Sequence, residues 1–310
     1  MMRRPRNRLL KLIILSTTLL LWSSIEGEAQ DKKWYNRLSE WVASEGWNFD
    51  GHLNTSHTKY FFQFGGKGVE DLYLSPIAHK GWEGKATFIT DYAQPSHRNW
   101  HLYQELIISG SVLKNAGNGA KIYGLGIAYG LGPSWRVLNW NNLTLDLAPL
   151  MELKLGGYYK PANTNNIANG KVSIGLDAWT RIRYQIPWSV LPIAISYTLQ
   201  APLIQGAFLP EYGQSYYDFI SGENGSKIKL RAGHPLNTQG ISQRLLVDLP
   251  LRNITITLGA EHTHFRQDIN HLKYTEGSWS VVAGVSLDIF RLSGNKAIKS
   301  LELNSSLYNK

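Results

Sequence analysis

Between residues 143 and 155 every odd position is apolar: Leu143, Leu145, Leu147, Pro149, Met151, Leu153 and Leu155. The even positions hold Thr144, Asp146, Ala148, Leu150, Glu152 and Lys154. Side chains alternate faces along an extended chain, so one face of this segment is greasy and the other largely polar. The pattern returns at 171–183. There Val172, Ile174, Leu176, Ala178 and Ile182 oppose Lys171, Ser173, Asp177, Trp179, Arg181 and Arg183. At 279–289, Trp279, Val281, Ala283, Val285, Leu287 and Ile289 oppose Ser280, Ser286 and Asp288. Weaker copies lie at 99–112, 241–251 and 253–265. Ordinary strands run to about 5–6 residues, whereas a strand crossing a bilayer needs about 9–11. Alternation sustained this long predicts the wall of a barrel.

The expected fold is therefore all-β: a closed antiparallel transmembrane β-barrel of about twelve strands with a short N-terminal helix. Strands are placed near 46–53, 56–64, 70–78, 84–93, 99–112, 120–139, 143–157, 171–185, 191–203, 240–251, 253–265 and 278–290. Gly132-Pro133 marks a bend in the sixth. Short joints fall at 65–69, 94–98, 140–142, 185–190 and around Arg252. Longer ones fall at 114–119, 159–170, 204–239 and 266–277. Alternation of short and long joints, with an even strand count, is the habit of outer-membrane barrels.

The chain opens with Arg3, Arg4, Arg6, Arg8 and Lys11, then an apolar run from 12 to 22, then the small-x-small triplet Gly27-Glu28-Ala29. This order predicts a cleaved secretory signal peptide at 1–29, because the apolar run is too short for a bilayer anchor. Its removal takes away five basic and two acidic side chains and lowers the formal charge from +9 to +6. Zero cysteines exclude disulfides, thiolate metal sites and an N-terminal lipoprotein anchor. No dense basic stripe points to nucleic acid. With 29 Gly, 16 Tyr and 11 Trp but only 18% charged residues, the composition suits strands with aromatic girdles and few surface charges. Residues 30–45 read as an amphipathic segment, with Trp34, Leu38, Trp41 and Val42 at helical spacing. The barrel is expected over 46–291 and a polar tail over 292–310.

Three stretches carry a family resemblance: DLYLSP at 71–76, NTNNIANG at 163–170 and PLIQGAFLPEYGQSYYDF at 202–219. Together they resemble an uncharacterised family of outer-membrane β-barrel proteins from Bacteroidota, over about residues 50 to 290. The resemblance implies a fold, a compartment and a bacterial group. It implies no activity.

The polar face of the predicted strands should line the lumen with His101, Tyr103, Glu105, Asp146, Glu152, Lys154, Asp177, Arg181, Arg183, Arg244, Asp248 and Glu261. A buried charge must be paired, so a narrow barrel would turn these into ion pairs and a wider one into a wet channel. Barrels of about 8 strands are filled by side chains and those of about 16–18 hold water. A mostly filled lumen with a restricted path is the expectation. The long segment at 204–239 offers Glu211, Tyr212, Gln214, Tyr216 and Tyr217 as loop candidates, for stacking on a sugar or lipid or simply for capping the barrel.

Catalytic patterns are sparse. The His-x-Ser pair that some outer-membrane lipid hydrolases carry on one strand does not occur. Ser75 with His79, and Ser96 with His97 and His101, have no third partner that sequence can place. His262-x-His264 has metal-ligand spacing, with Asp268 and His271 nearby, but paired side chains on one strand face are common. The expectation is an outer-membrane barrel without catalysis, acting as a narrow channel or a structural or binding protein. No cofactor or metal is implied. Outer-membrane lipid, the barrel-assembly machinery and a small solute or glycan are the expected partners, and nucleic acid is not. An outer-membrane enzyme acting on lipid or lipopolysaccharide, and a soluble exported β-protein, are the alternatives.

Overall fold

A computed structural model describes residues 54–93, 100–164, 166–187, 193–208, 230–250, 255–269 and 272–291. The segments at 1–29, 30–45, 46–53 and 292–310, and the loop residues 211–217, lie outside the described residues. The strands are β1 (Asn54–Asp71), β2 (Ser75–Ala93), β3 (Trp100–Asn115), β4 (Lys121–Trp140), β5 (Leu143–Tyr159), β6 (Ala168–Gln185), β7 (Ala194–Phe208), β8 (Leu230–Gly233), β9 (Thr238–Pro250), β10 (Thr255–Ile269) and β11 (Leu272–Arg291). All pairings are antiparallel. β1 and β11 close the sheet from Asn54↔Arg291 to Asp71↔Tyr274.

β8 and β9 share one place in the ring. β7 pairs with β8 over its last residues, from Gln205↔Gly233 to Phe208↔Leu230, and with β9 over its first, from Ala194↔Asp248 to Gln200↔Ser242. A turn at 234–237, closed by the Thr238 N–H donating to the His234 carbonyl at 2.8 Å, interrupts that wall strand. The ring therefore has ten positions rather than twelve.

The difference arises in the first third of the chain. Residues 65–69 form no turn. They continue the β1 ladder, with Gly65↔Ser280, Gly66↔Trp279 and Gly68↔Gly277. A Cβ at Gly65 would sit 1.8 Å from the Trp279 carbonyl oxygen, so this glycine serves close strand approach. The real turn is Leu72-Tyr73-Leu74, where the Asp71 side chain accepts the Tyr73 N–H at 3.2 Å and the Asp71 carbonyl accepts the Leu74 N–H at 3.0 Å. The segments expected at 56–64, 70–78 and 84–93 are thus two long strands. The joint expected at 266–277 is mostly ladder, since β10 and β11 pair up to Ile269↔Leu272.

Other connections match the sequence. Asn141 and Asn142 take φ of 43° and 67°, so β4 and β5 are joined by a two-residue turn with both central residues left-handed. The β4–β5 ladder breaks between Leu131↔Met151 and Trp135↔Leu147, beside Gly132-Pro133, where the proline has no N–H to offer. Strand direction places the connections at 94–99, 141–142, 186–193 and 251–254 at one end, with residues 54 and 291. We call this the proximal end. The connections at 72–74, 116–120, 160–167, 209–229 and 270–271 are distal.

The alternation sorts as an inverted protein. On β5, Leu147 points outward and is 42% exposed, while its neighbour Asp146 points inward and is 1% exposed. Phe62, Phe64, Leu125, Trp279 and Val281 also face out. No helix of the described residues is long and apolar enough to cross a membrane, a statement that does not concern strands.

Candidate functional site in the barrel lumen

The inward side chains form four layers. Nearest the proximal end is a charged layer. Arg181 reaches Asp91 at 2.6 Å and Asp146 at 2.8 Å. Arg136 also meets Asp146, at 3.1 Å, and His101 Nε2 lies 3.7 Å from it. Lys59 pairs with Asp248 at 2.7 Å, and the Thr257 hydroxyl donates to the same carboxylate at 2.6 Å. Arg183 lies two residues beyond Arg181, on the same inward face of β6.

Above it is an apolar waist. Phe61, Ile89, Tyr103, Ala148, Leu150, Trp179, Leu246 and Val282 form one contiguous cluster. They come from β1, β2, β3, β5, β6, β9 and β11, seven of the ten ring positions, so the cluster reaches across the lumen between opposite strands. The Tyr103 and Trp179 rings pack at 4.5 Å. Tyr103 turns its hydroxyl upward and donates to Glu105 at 2.8 Å, which satisfies its polar end.

The third layer is a charged chamber with a cavity of about 260 Å³. Arg244 sits between Glu105 at 2.6 Å and Glu261 at 2.7 Å. Lys85 bridges Glu261 and Glu83 at 3.0 and 3.3 Å, and Lys67 bridges Glu83 and Glu276 at 2.6 and 3.3 Å. On the other wall Lys154 pairs with Glu152 at 2.6 Å, and Gln200 donates to Glu152 at 3.2 Å and to Asp177 at 2.8 Å. Glycines make the space: Gly124, Gly126 and Gly156 line this wall with no side chain. A Cβ at Gly124 would meet the Tyr158 ring at 2.6 Å.

The distal mouth is capped. Val69, Leu74, Leu113, Ile122, Tyr158 and Tyr274 form a second apolar cluster. Asn163, in the β5–β6 connection, donates its side-chain amide to the Leu74 carbonyl at 2.8 Å and to the Asn166 carbonyl at 2.8 Å. Asn169 donates to Asp71 at 2.7 Å, and Lys171 pairs with Asp71 at 3.2 Å. β1 and β6 are five places apart in a ring of ten, so these bonds span the mouth. The 71–76 and 163–170 motifs, separate in sequence, are the two halves of this cap.

The twelve lumen candidates all project inward, and they divide between layers. His101, Asp146, Arg181, Arg183 and Asp248 lie in the proximal layer. Tyr103 belongs to the waist. Glu105, Glu152, Lys154, Asp177, Arg244 and Glu261 lie in the chamber. Sequence reading missed Lys59, Lys67, Glu83, Lys85 and Asp91, and it put Lys171 on the polar face of its strand without counting it among the lumen residues. A period-2 count along Glu83, Lys85, Thr87, Ile89 and Asp91, against outward Trp82 and Phe88, carries the signal. His262, His264 and Asp268 are on the outward face of β10, and the His262 ring packs on Trp279 at 4.3 Å. Among the described residues no group of three or more His, Asp or Glu side chains is placed to hold a metal. Ser96 and His97 lie outside the described residues.

Comparison with known proteins gives one family match. A family model described as "Protein of unknown function (DUF3316)" matches residues 15–296. No curated protein matches the chain. Among solved structures, the outer membrane protease OmpT from Escherichia coli is similar at 9% identity and TM-score 0.47, covering 76% of this chain and 97% of that one. The transport unit of the autotransporter AIDA-I from Escherichia coli is similar at 9% identity and TM-score 0.41, covering 86% and 100%. The translocator domain of the autotransporter NalP from Neisseria meningitidis is similar at 11% identity and TM-score 0.36, covering 82% and 95%.

Proposed function

Since the chain belongs to the family of proteins of unknown function DUF3316, which brings no activity with it, we propose a role from the lumen: an outer-membrane barrel, sealed at the waist, that serves the cell surface as a structural or binding element rather than as an open pore. The apolar waist carries this reading. Side chains from seven ring positions meet there, and on either side of it at least one salt bridge crosses the lumen, Arg181 to Asp91 below and Arg244 to Glu105 above. Arg244 and Glu105 stand on opposite strands of the ring, as do Tyr158 and Glu276, which bond at 3.0 Å. Ions would have to cross a dry aliphatic and aromatic layer.

The outward face supports the membrane setting. Tyr123, Trp82 and Trp279 stand toward the distal end, and Trp135, Trp140 and Tyr184 toward the proximal end. On β4 the step from Tyr123 to Trp135 corresponds to about 30 Å of height, at ~3.3 Å per residue and ~40° of tilt. That is the thickness of a bilayer's hydrocarbon layer. An even ring returns both of its ends to one side, which in bacterial barrels is the periplasm, so the capped distal mouth faces out. Export through a signal peptide at 1–29, an origin in Bacteroidota and assembly by the barrel-insertion machinery complete the proposal.

Two measurements test it. Membrane-extracted protein should show heat-modifiable gel mobility, and it should give no steady conductance in planar bilayers. Ohmic conductance from the unmodified chain would refute the sealed reading. The chamber leaves one further use open to the distal side, the holding of a small solute or glycan beneath the cap.

A further inference from the structure

The outward face of β2, β3 and β4 carries three lysines side by side at its distal end. Lys80 is the direct cross-strand partner of Lys114, and Lys114 of Lys121. All three are exposed, and among the described residues none has an ion-pair partner. These strands offer no outward carboxylate, because Glu83, Asp91 and Glu105 all point into the lumen and β4 has no acid. Glu70, outward on β1, is taken by Lys273 at 3.5 Å. Like charges directly opposite one another in a sheet are destabilising. Three in a row call for an anion from outside the chain.

What lies beneath them indicates the kind of anion. The next outward row is Trp82, Val112 and Tyr123. Below it, Gly84 and Gly110 are cross-strand partners, flanked by Phe64 on β1 and Leu125 on β4. Phe64 and Leu125 are 61% and 77% exposed, so they stand up on either side of two missing side chains. Internal packing does not demand these glycines. A Cβ at Gly84 would meet nothing within 4 Å and one at Gly110 only the Leu125 side chain at 3.8 Å, whereas at Gly81 it would strike the Val112 carbonyl oxygen at 2.2 Å. The surface thus has a short apolar trough, one side chain deep, set below the Trp82, Val112 and Tyr123 row and reached from Lys114 over Val112, the smallest of the three. From Lys114 to Gly110 is about 13 Å.

We infer that this face binds a phosphorylated lipid of the outer leaflet, its phosphate held by Lys80, Lys114 and Lys121 and one acyl chain lying over Gly84 and Gly110. The inference rests on the reading above that the distal end faces out of an outer membrane. Ammonium groups on neighbouring strands reach one phosphate together, and each adds attraction in a low-dielectric interface.

The full chain is inserted into phosphatidylcholine vesicles doped with phosphatidic acid or with diacylglycerol of the same chains. Lipid retained after release is counted by native mass spectrometry. The natural chain should retain phosphatidic acid on the order of a hundredfold better than diacylglycerol. The triple variant Lys80→Gln, Lys114→Gln, Lys121→Gln should lose that preference. Gly84→Leu with Gly110→Leu, which keeps every lysine, should lower retention about tenfold by filling the trough. Equal retention of the two lipids by the natural chain would overturn the inference, as would a triple variant that behaves like it. Complete displacement by inorganic phosphate, with the trough variant unaffected, would mean that the lysines hold a free anion and would overturn it too. Failure of the membrane reading is separate: the chain would then not enter vesicles as a heat-modifiable barrel.

Discussion

The waist and the chamber are built on the same ten strands and hold opposite contents. At the waist, Phe61, Leu150 and Trp179 are buried in one apolar cluster. A few residues farther along the same strands, Gly124, Gly126 and Gly156 withdraw from the axis, and Lys67, Lys85, Lys154 and Arg244 enter a cavity of about 260 Å³. The contrast shows that strand number alone does not decide whether a barrel of this size is open. The volume of the inward residues decides it, level by level. A barrel of about 8 strands must be full and one of about 16 cannot be, while ten leaves the choice to the side chains.

The comparison can be broken most strongly at the waist. Phe61→Ala combined with Trp179→Ala should cost several kcal/mol of stability, at about 3–5 kcal/mol for each large aromatic removed. It should also join the chamber to the proximal layer. Planar-bilayer recording should change from silent to conducting, and a silent double variant would show that other side chains collapse into the gap. In the chamber, Arg244→Met leaves Glu105 without its cation and Glu261 with Lys85 alone. A loss of about 3–5 kcal/mol is expected in urea unfolding, and adding Glu105→Gln should restore much of it.

A smaller effect is expected at the cap. Asn163→Ala removes one side-chain hydrogen bond across the mouth and one within the β5–β6 connection, for about 1 kcal/mol or less of stability each. Its clearer consequence is access. The natural chain has no cysteine, so a single Lys154→Cys reports on the chamber. Thiol labelling of that residue from the distal side should speed up when Asn163→Ala is added, and labelling that stays equally fast would show that the β5–β6 connection does not guard the mouth. The smallest effect belongs to the proximal turn. Asn142→Gly should be neutral or slightly stabilising at φ of 67°, while Asn142→Val should cost about 1–2 kcal/mol, measured by the same unfolding.

Much of the wall was legible because alternation reports on one side chain at a time. On β5, β6, β10 and β11 each residue meets either the outside or the lumen, and its chemistry says which. The same logic placed the twelve lumen candidates. β1 and β2 were less legible for a local reason. Gly65, Gly66 and Gly68 look like a turn, yet they stay in the ladder, whereas the true turn at 72–74 has no glycine and relies on the Asp71 side chain. Partners within the lumen were not legible at all. Glu105 and Arg244 are far apart in the chain, and they meet only because the ring places β3 opposite β9. No spacing in the sequence encodes that. The four-layer order follows from the same closure, since it compares residues on strands that never touch.

The turn that separates β8 from β9 has a mechanical consequence. β1 and β11 are laced along their whole length, whereas β7 holds β9 only from Ala194↔Asp248 to Gln200↔Ser242 before the partner changes to the short β8. This seam is where the cylinder should unzip first under load and fasten last during insertion. Amide hydrogen exchange in β9 should then outpace that in β11.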